Sequence, residues 1–299
     1  MQPLAAEGPN AQQITYWNEV SGAKWVALHE VIDAQIEPLG TAAMDRAAPA
    51  PGERVLDVGC GCGQTSLELA RRVGPSGAVE GVDISAPMLA RARERARDAG
   101  LANARFHQAD AQTARFGGDA EGALPAGFDL VFSRFGVMFF ADPQAAFANL
   151  LGALRPGGRI AWATWQALAD NPWMRVPMAA AAAHLPKADP PPPDAPGPFA
   201  LADAARVERL LRAAGFEDVA HESVVRELRV GGGGTLDEAV SFLVQMGPMG
   251  AALRDATDAV RAAATADVRV ALAPYYDGTA VRLPAACWVV TARRPATAR

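Results

Sequence analysis

The stretch Val55 to Ser66, reading Val-Leu-Asp-Val-Gly-Cys-Gly-Cys-Gly-Gln-Thr-Ser, constrains this chain more than any other. Val55–Val58 has the apolar, β-branched character of a short buried strand. Glycines then alternate at 59, 61 and 63, and a helical apolar pattern (Leu67, Leu69, Ala70, Val73) begins just beyond. Glycine lets the chain turn sharply off a strand and lets a ligand lie against bare backbone. A strand, a glycine-rich turn and a helix N-terminus, in that order, make the floor of a nucleotide site in an open α/β sheet.

The residues that follow strengthen the reading. Val79–Val82 is a second apolar run and ends at Asp83, placed to accept both hydroxyls of a ribose. Ser85 has the character of an N-cap and Pro87 lies in the first turn of a helix predicted to run to about Gly100. Strand three, Ala104–Gln108, leads into Asp110-Ala111, and strand four, Phe128–Phe132, leads into Ser133-Arg134. Ala141–Leu154 reads as a helix ended by Pro156-Gly157-Gly158, and Arg159–Trp165 as strand five. Strand-helix alternation with short connections predicts a parallel, doubly wound sheet, which binds ligands at its strand ends.

This constellation resembles the class I S-adenosylmethionine-dependent methyltransferases. The family's D-x-G-x-G-x-G loop is matched by Asp57, Gly59, Gly61 and Gly63, its acidic ribose ligand by Asp83 and its adenine-side acid and small residue by Asp110-Ala111. Its F-D-x-V fourth strand is matched by Phe128-Asp129-Leu130-Val131, and the turn before its fifth by Leu154–Arg159. The resemblance covers residues 50 to 165 well. It is strongest to the branch acting on quinones (ubiquinone and menaquinone biosynthesis) and other small molecules; no protein, DNA or rRNA methyltransferase motif such as Asn-Pro-Pro-Tyr is present. It implies S-adenosylmethionine as cofactor, held by Asp57, Gly59, Cys60, Gly61, Gly63, Ser66, Asp83, Ile84, Met88, Asp110, Ala111 and Ser133. It also implies a Rossmann-like α/β fold, doubly wound on a seven-stranded sheet, mostly parallel with the last strand antiparallel. The expected division is a helical N-terminal lid over 1–48, the cofactor-binding core over 49–168, and over 169–299 cap helices with the last two strands. Strand six is expected over 216–230 and strand seven over 287–292, with the helices of 235–275 inserted between them.

Composition excludes several alternatives. Half of the 299 residues are hydrophobic, yet no apolar run approaches the ~18 residues that span a bilayer. The first residues have neither a basic start nor an apolar core, so no signal peptide is expected. A net charge of −5 argues against a nucleic-acid partner, which needs a basic face. Three cysteines cannot form a disulfide framework, and no second Cys or His pair follows Cys60-x-Cys62 at zinc spacing, so no metal is expected. A reduced cytoplasm fits best.

The flanks carry the candidates for contact with a methyl acceptor. Residues 1–12 are small and polar, expected to be mobile. Residues 14–46 have helical spacing broken near Gly22; Trp25 and His29, four apart, are expected to share a helix face. Tyr16 and His29 are weak catalytic candidates, and Trp17, Trp25, Trp165, Trp173 and Met246 are candidates for the acceptor pocket. Arg134 is a candidate for both, and two roles stand open for it: binding an acceptor's carboxylate or phosphate, or pairing with a lid acid. His107 reads as an exposed or packed residue. The prolines of 186–198 predict a stiff extended connection beside the site, and Gly231–Gly234 a flexible hinge. Leu243, Met246, Met249 and Leu253 are the cap residues expected to face a substrate.

Methyl transfer from a sulfonium asks mainly for alignment and exclusion of water, and for a base only if the acceptor must lose a proton. A small, hydrophobic or aromatic acceptor methylated by in-line displacement is the leading reading. The alternatives are a non-catalytic S-adenosylmethionine-binding protein and a nicotinamide-dependent oxidoreductase. Against the last, the loop is G-x-G-x-G rather than G-x-G-x-x-G and only one mononucleotide-type half is present. A homodimer through paired cap helices is compatible with the pattern.

Overall fold

A computed structural model describes residues 4–119, 121–185, 192 and 194–296. It contains one seven-stranded sheet in the order β3-β2-β1-β4-β5-β7-β6. The strands are β1 (Arg54–Val58), β2 (Ala78–Asp83), β3 (Ala104–Gln108), β4 (Phe128–Arg134), β5 (Leu154–Trp165), β6 (Glu217–Val230) and β7 (Val281–Arg293). The first five pair in parallel, and β7 runs antiparallel to both neighbours. The expected fold class and the antiparallel last strand are observed. The order reverses at β1/β4, the switch point at which such sheets bind ligands.

The strand interiors explain the burial. Val55, Leu56, Leu130, Phe132 and Ile160 are almost wholly buried, as strands covered on both faces require. Phe147 of α6 (Pro143–Ala153) stacks on Trp162 of β5 with ring centroids 5.0 Å apart. Pro156-Gly157-Gly158, expected to end the preceding helix, instead lies within β5: α6 stops at Ala153, and the register shift between Phe128 and Leu130 accommodates the irregular residues. Strand β7 starts at Val281, six residues before the apolar run that signalled it, because it follows β6 along its length and places Pro284 opposite Glu227.

The N-terminal segment divides differently from expectation. Helices α1 (Ala11–Thr15) and α2 (Gly22–Ala27) flank a π-turn at Tyr16–Val20, and Leu28 separates α2 from α3 (His29–Ala47). Trp25 and His29 therefore belong to different helices. The stripe Ile32, Ile36, Leu39, Ala43, Ala47 buries α3 against β5 and β6, so this helix is part of the core rather than a lid. Residues 10–12 are ordered into the fold: Asn10 is buried, for the reason given below.

Helices α4 (Gln64–Val73) and α5 (Ala86–Asp98) follow β1 and β2, α7 (Pro172–Ala181) follows β5, and α8 (Ala204–Ala213) precedes β6. The predicted insertion between β6 and β7 is present as α9 (Leu236–Leu243), α10 (Gly247–Ala252) and α11 (Asp258–Leu272). α11 packs on α7 and α9. The glycine run 231–234, expected to be a hinge, is a pinned turn: Gly231 N–H donates to Gln35 Oε1 at 2.7 Å and Gly234 N–H to Thr279 O at 2.9 Å. Of the expected proline-rich connection, residues 186–191 and 193 lie outside the described residues.

Candidate active site

The glycine loop is shaped by contacts that no side chain can share. Gly59, Gly61 and Gly63 have φ of +68°, +54° and +83°, the left-handed region that glycine enters without penalty. A Cβ on Gly59 would lie 2.7 Å from Gly136 Cα, and one on Gly63 2.9 Å from Ala92 Cβ. The loop thus passes between the turn after β4 and helix α5 with backbone alone. Asp57, fully buried below it, accepts Thr65 Oγ1 at 2.7 Å and Ser66 Oγ at 2.6 Å on one oxygen, fastening the first turn of α4 to β1. Its other oxygen has no hydrogen-bond donor among the described residues, and burial raises the carboxyl pKa to about 6.

A cavity of about 1090 Å³ opens above this loop. Gly59, Cys60, Gly61, Asp83, Ile84, Met88, Asp110 and Ala111 all line it, brought together from the ends of β1, β2 and β3. Asp83 accepts Gly61 N–H at 2.8 Å on one oxygen and Ser85 N–H at 2.9 Å on the other. Each oxygen keeps a lone pair for a further donor, and burial raises this carboxyl's pKa. A bare-backbone cradle beside a carboxylate with two acceptor oxygens fits a nucleoside with a vicinal diol. Asp57, Gly63, Ser66 and Ser133 do not line the cavity, contrary to expectation. Asp57, Gly63 and Ser66 hold the loop from behind. Ser133 Oγ donates to Val58 O at 2.7 Å and accepts Gly136 N–H, tying the turn after β4 to β1.

The N-terminal segment is latched to these strand ends. Asn10 Nδ2 donates to both oxygens of Asp110, at 3.0 and 2.9 Å, and its Oδ1 accepts Ala141 N–H. Asn18 Oδ1 accepts Ala86 N–H, capping α5 from outside it, so Ser85 Oγ is free to donate to Trp17 O. Gly22 leaves no room for a Cβ, which would sit 2.8 Å from Pro87 Cγ and Ser85 Oγ. Among the residues that sequence reasoning missed, Asn10 and Asn18 had only their polar type to signal them, because their partners are far along the chain.

The candidates for acceptor contact converge on the same cavity. Tyr16, Trp17, Trp25, His29, Arg134, Trp165, Trp173 and Met246 all line it, whereas Leu243, Met249 and Leu253 are buried in the core instead. Trp17 packs edge-on against Tyr16, Trp25 and Phe139, with centroids 5.3 to 5.4 Å apart. Phe135, at the uncommon φ of +60°, stacks on Trp165 at 4.0 Å, giving the chamber a second aromatic wall. Arg134 is paired with an acid, but one on the core helix α3 rather than on a lid: Nη2 donates to Asp33 Oδ1 at 2.9 Å and Nη1 to Gln64 Oε1 at 2.8 Å. Asp33, on α3, also accepts Arg95 Nη1 at 2.9 Å. Gly40 permits this, since a Cβ there would lie 2.7 Å from Arg134 Cδ.

His29 Nδ1 faces Val26 O at 2.7 Å, which requires a proton on that nitrogen, and Nε2 accepts from Arg91 Nε at 3.3 Å. His107 pairs with Glu80 at 2.6 Å, away from the cavity. Cys60, Cys62 and Cys287 are free and buried; burial pushes the Cys62 and Cys287 thiols up to about 12 and Cys60 well above its ordinary value. No group of residues suited to hold a metal occurs among the described residues, and none of their helices is long and apolar enough to cross a membrane.

Comparison with known proteins agrees with this geometry. Residues 49–190 match a family model described as a methyltransferase domain. The chain is 40% identical over 126 residues to aklanonic acid methyltransferase DauC of Streptomyces sp. strain C5, covering 42% of this chain and 54% of that protein. It is 31% identical over 156 residues to the ubiquinone/menaquinone biosynthesis C-methyltransferase UbiE of Stutzerimonas stutzeri, covering 52% and 58%. The chain thus spans little more than half the length of these relatives. The crystal structure of YcgJ from Bacillus subtilis shares the fold, with a TM-score of 0.53 at 18% identity, covering 86% of this chain and 98% of that one. Residues 49–190 are therefore a methyltransferase domain of the class I architecture.

Proposed function

We propose that the chain transfers a methyl group from S-adenosylmethionine to a small, hydrophobic or aromatic acceptor by in-line displacement. One observation carries the reading: the strand-end cradle of Gly59, Gly61, Asp83 and Asp110 opens without a break into a chamber walled by Trp17, Trp25, Phe135 and Trp165. The volume exceeds the roughly 300–1,000 Å³ typical of a pocket for one small molecule, leaving room for two reactants side by side. S-adenosylmethionine supplies an already activated methyl group when bound. Asp83 then accepts the ribose hydroxyls, Asp110 with Ala111 borders the adenine, and the glycine loop lets the donor lie on bare backbone. Relatives named for aklanonic acid and for ubiquinone/menaquinone biosynthesis support a small-molecule acceptor.

The chain's own contribution is alignment and exclusion of water. His29 uses its one free ring nitrogen on Arg91, and Arg134 is held by Asp33 and Gln64, so neither serves as base or acceptor clamp in this reading. Residues 1–48 supply cover and the α3 buttress, 49–168 the cofactor half, and 169–299 the cap; dimerisation through the cap and a cytoplasmic setting, which the three free thiols favour, belong to the same proposal. The test is calorimetric titration with S-adenosylmethionine, S-adenosylhomocysteine and NADH. Micromolar binding of the first two and none of the third is expected; binding of NADH alone refutes the assignment.

A further inference from the structure

We infer that the acceptor is anionic: an aromatic body bearing a carboxylate, seated with its charge at the seam between the N-terminal segment and the cap. The inference rests on the methyltransferase reading and concerns the charged side chains that line the cavity. The charges lining the cavity are segregated. Its three carboxylates, Asp33, Asp83 and Asp110, already have protein donors. Arg134 is paired with Asp33. Lys24, Arg254 and Arg261 also line the cavity, and among the described residues no carboxylate lies within 4.0 Å of any of them.

These three cations mark the seam. Lys24 Nζ reaches Gln245 O at 3.4 Å, and Arg254 lies over the Tyr16 ring, 5.3 Å from its centroid, with Nη2 3.4 Å from the phenol oxygen. Arg261 Nη2 alone makes that side chain's contacts, to Leu253 O at 2.7 Å and Arg254 O at 3.4 Å. Each group thus holds neutral oxygen with one nitrogen and keeps further N–H donors unpartnered among the described residues. Two guanidinium forks and an ammonium with free donors match a carboxylate. Tyr16, beneath Arg254, packs on Trp17, so the anion site adjoins the aromatic wall that would take the ring system. Lys24 and Arg254 are exposed and Arg261 is half-buried, so the anion would meet them where the chamber opens to solvent.

The test uses 2-naphthoate and its neutral isostere 2-naphthamide, titrated by fluorescence into the whole chain saturated with S-adenosylhomocysteine. The carboxylate is expected to bind about tenfold more tightly than the amide, the effect of one or two partly exposed ion pairs with charge-assisted hydrogen bonds. Arg254→Gln with Arg261→Gln should bring the two probes within about threefold, while Arg254→Lys keeps most of the preference. S-adenosylhomocysteine affinity, titrated separately, should be the same in all variants. Equal binding of the two probes to the unaltered chain, no binding of either, or a preference that survives the double substitution overturns the inference. Failure of S-adenosylhomocysteine to bind instead refutes the methyltransferase reading, and the probes can then be compared without it.

Discussion

Replacing Asp33 with alanine tests whether the junction of α3, α5 and β4 is held electrostatically. Asp33 bridges Arg95 and Arg134 at 2.9 Å each, with side-chain exposures of 16%, 20% and 11%. Removing one partner of a fully buried pair costs about 3–5 kcal/mol, and breaking an exposed pair about 0.2–1. Both cations keep one neutral partner, Cys62 O for Arg95 and Gln64 Oε1 for Arg134, which moderates the loss. The expected destabilisation is therefore about 2 kcal/mol, a factor of roughly 30 in the folded-to-unfolded ratio. Urea unfolding read by tryptophan fluorescence should show an earlier midpoint with an unchanged slope. A double-mutant cycle with Arg134→Met should return a coupling of about 1 kcal/mol or more. A variant within ~0.5 kcal/mol of the parent chain would falsify the argument, placing Asp33 among ordinary surface residues.

Asp83→Ala should leave the urea midpoint nearly unchanged and weaken S-adenosylmethionine binding on the order of a hundredfold, through loss of two charge-assisted hydrogen bonds; parent-like affinity by calorimetry shows the ribose site is elsewhere. Asp57 gives a pH signature without ligand. Its folded pKa of about 6 lies above the ordinary 3.8, so between these values the folded state holds a proton that the unfolded state has released. Its contribution to stability is fully present below pH 3.8, falls as pH rises through that window, and is lost above about 6. At ~1.4 kcal/mol per unit, the stability difference between the parent chain and Asp57→Asn should change by about 3 kcal/mol across the window, in the sense that the parent loses. Parallel pH profiles in urea titrations refute the burial argument.

The strand-end side of the candidate site was legible because its signals are local. A left-handed glycine loop, an acid at the end of the next strand and an acid after the third each sit within a few residues of the element that positions them, and strand order then carries them to one edge. The same locality misled at Ser66 and Ser133. Their polar side chains lie beside the motif, yet they turn inward to Asp57 and Val58 O, a choice between two sides of a turn that spacing does not encode. The aromatic candidates Trp17, Trp25, Trp165 and Trp173 did reach the cavity, from four separate elements.

By itself the sequence determined the sheet's makeup, the loop's conformation and the charge of the strand ends, since apolar runs and glycine act over a handful of residues. Tertiary structure decided what faces what. Asn10 meets Asp110 a hundred residues away, Asp33 and Gln64 engage the Arg134 guanidinium, and α3 becomes core because β5 and β6 offer it an apolar face. The unpaired cations at the seam are likewise invisible in the chain's overall charge of −5, because a charge is free or paired only once long-range packing has chosen its neighbours.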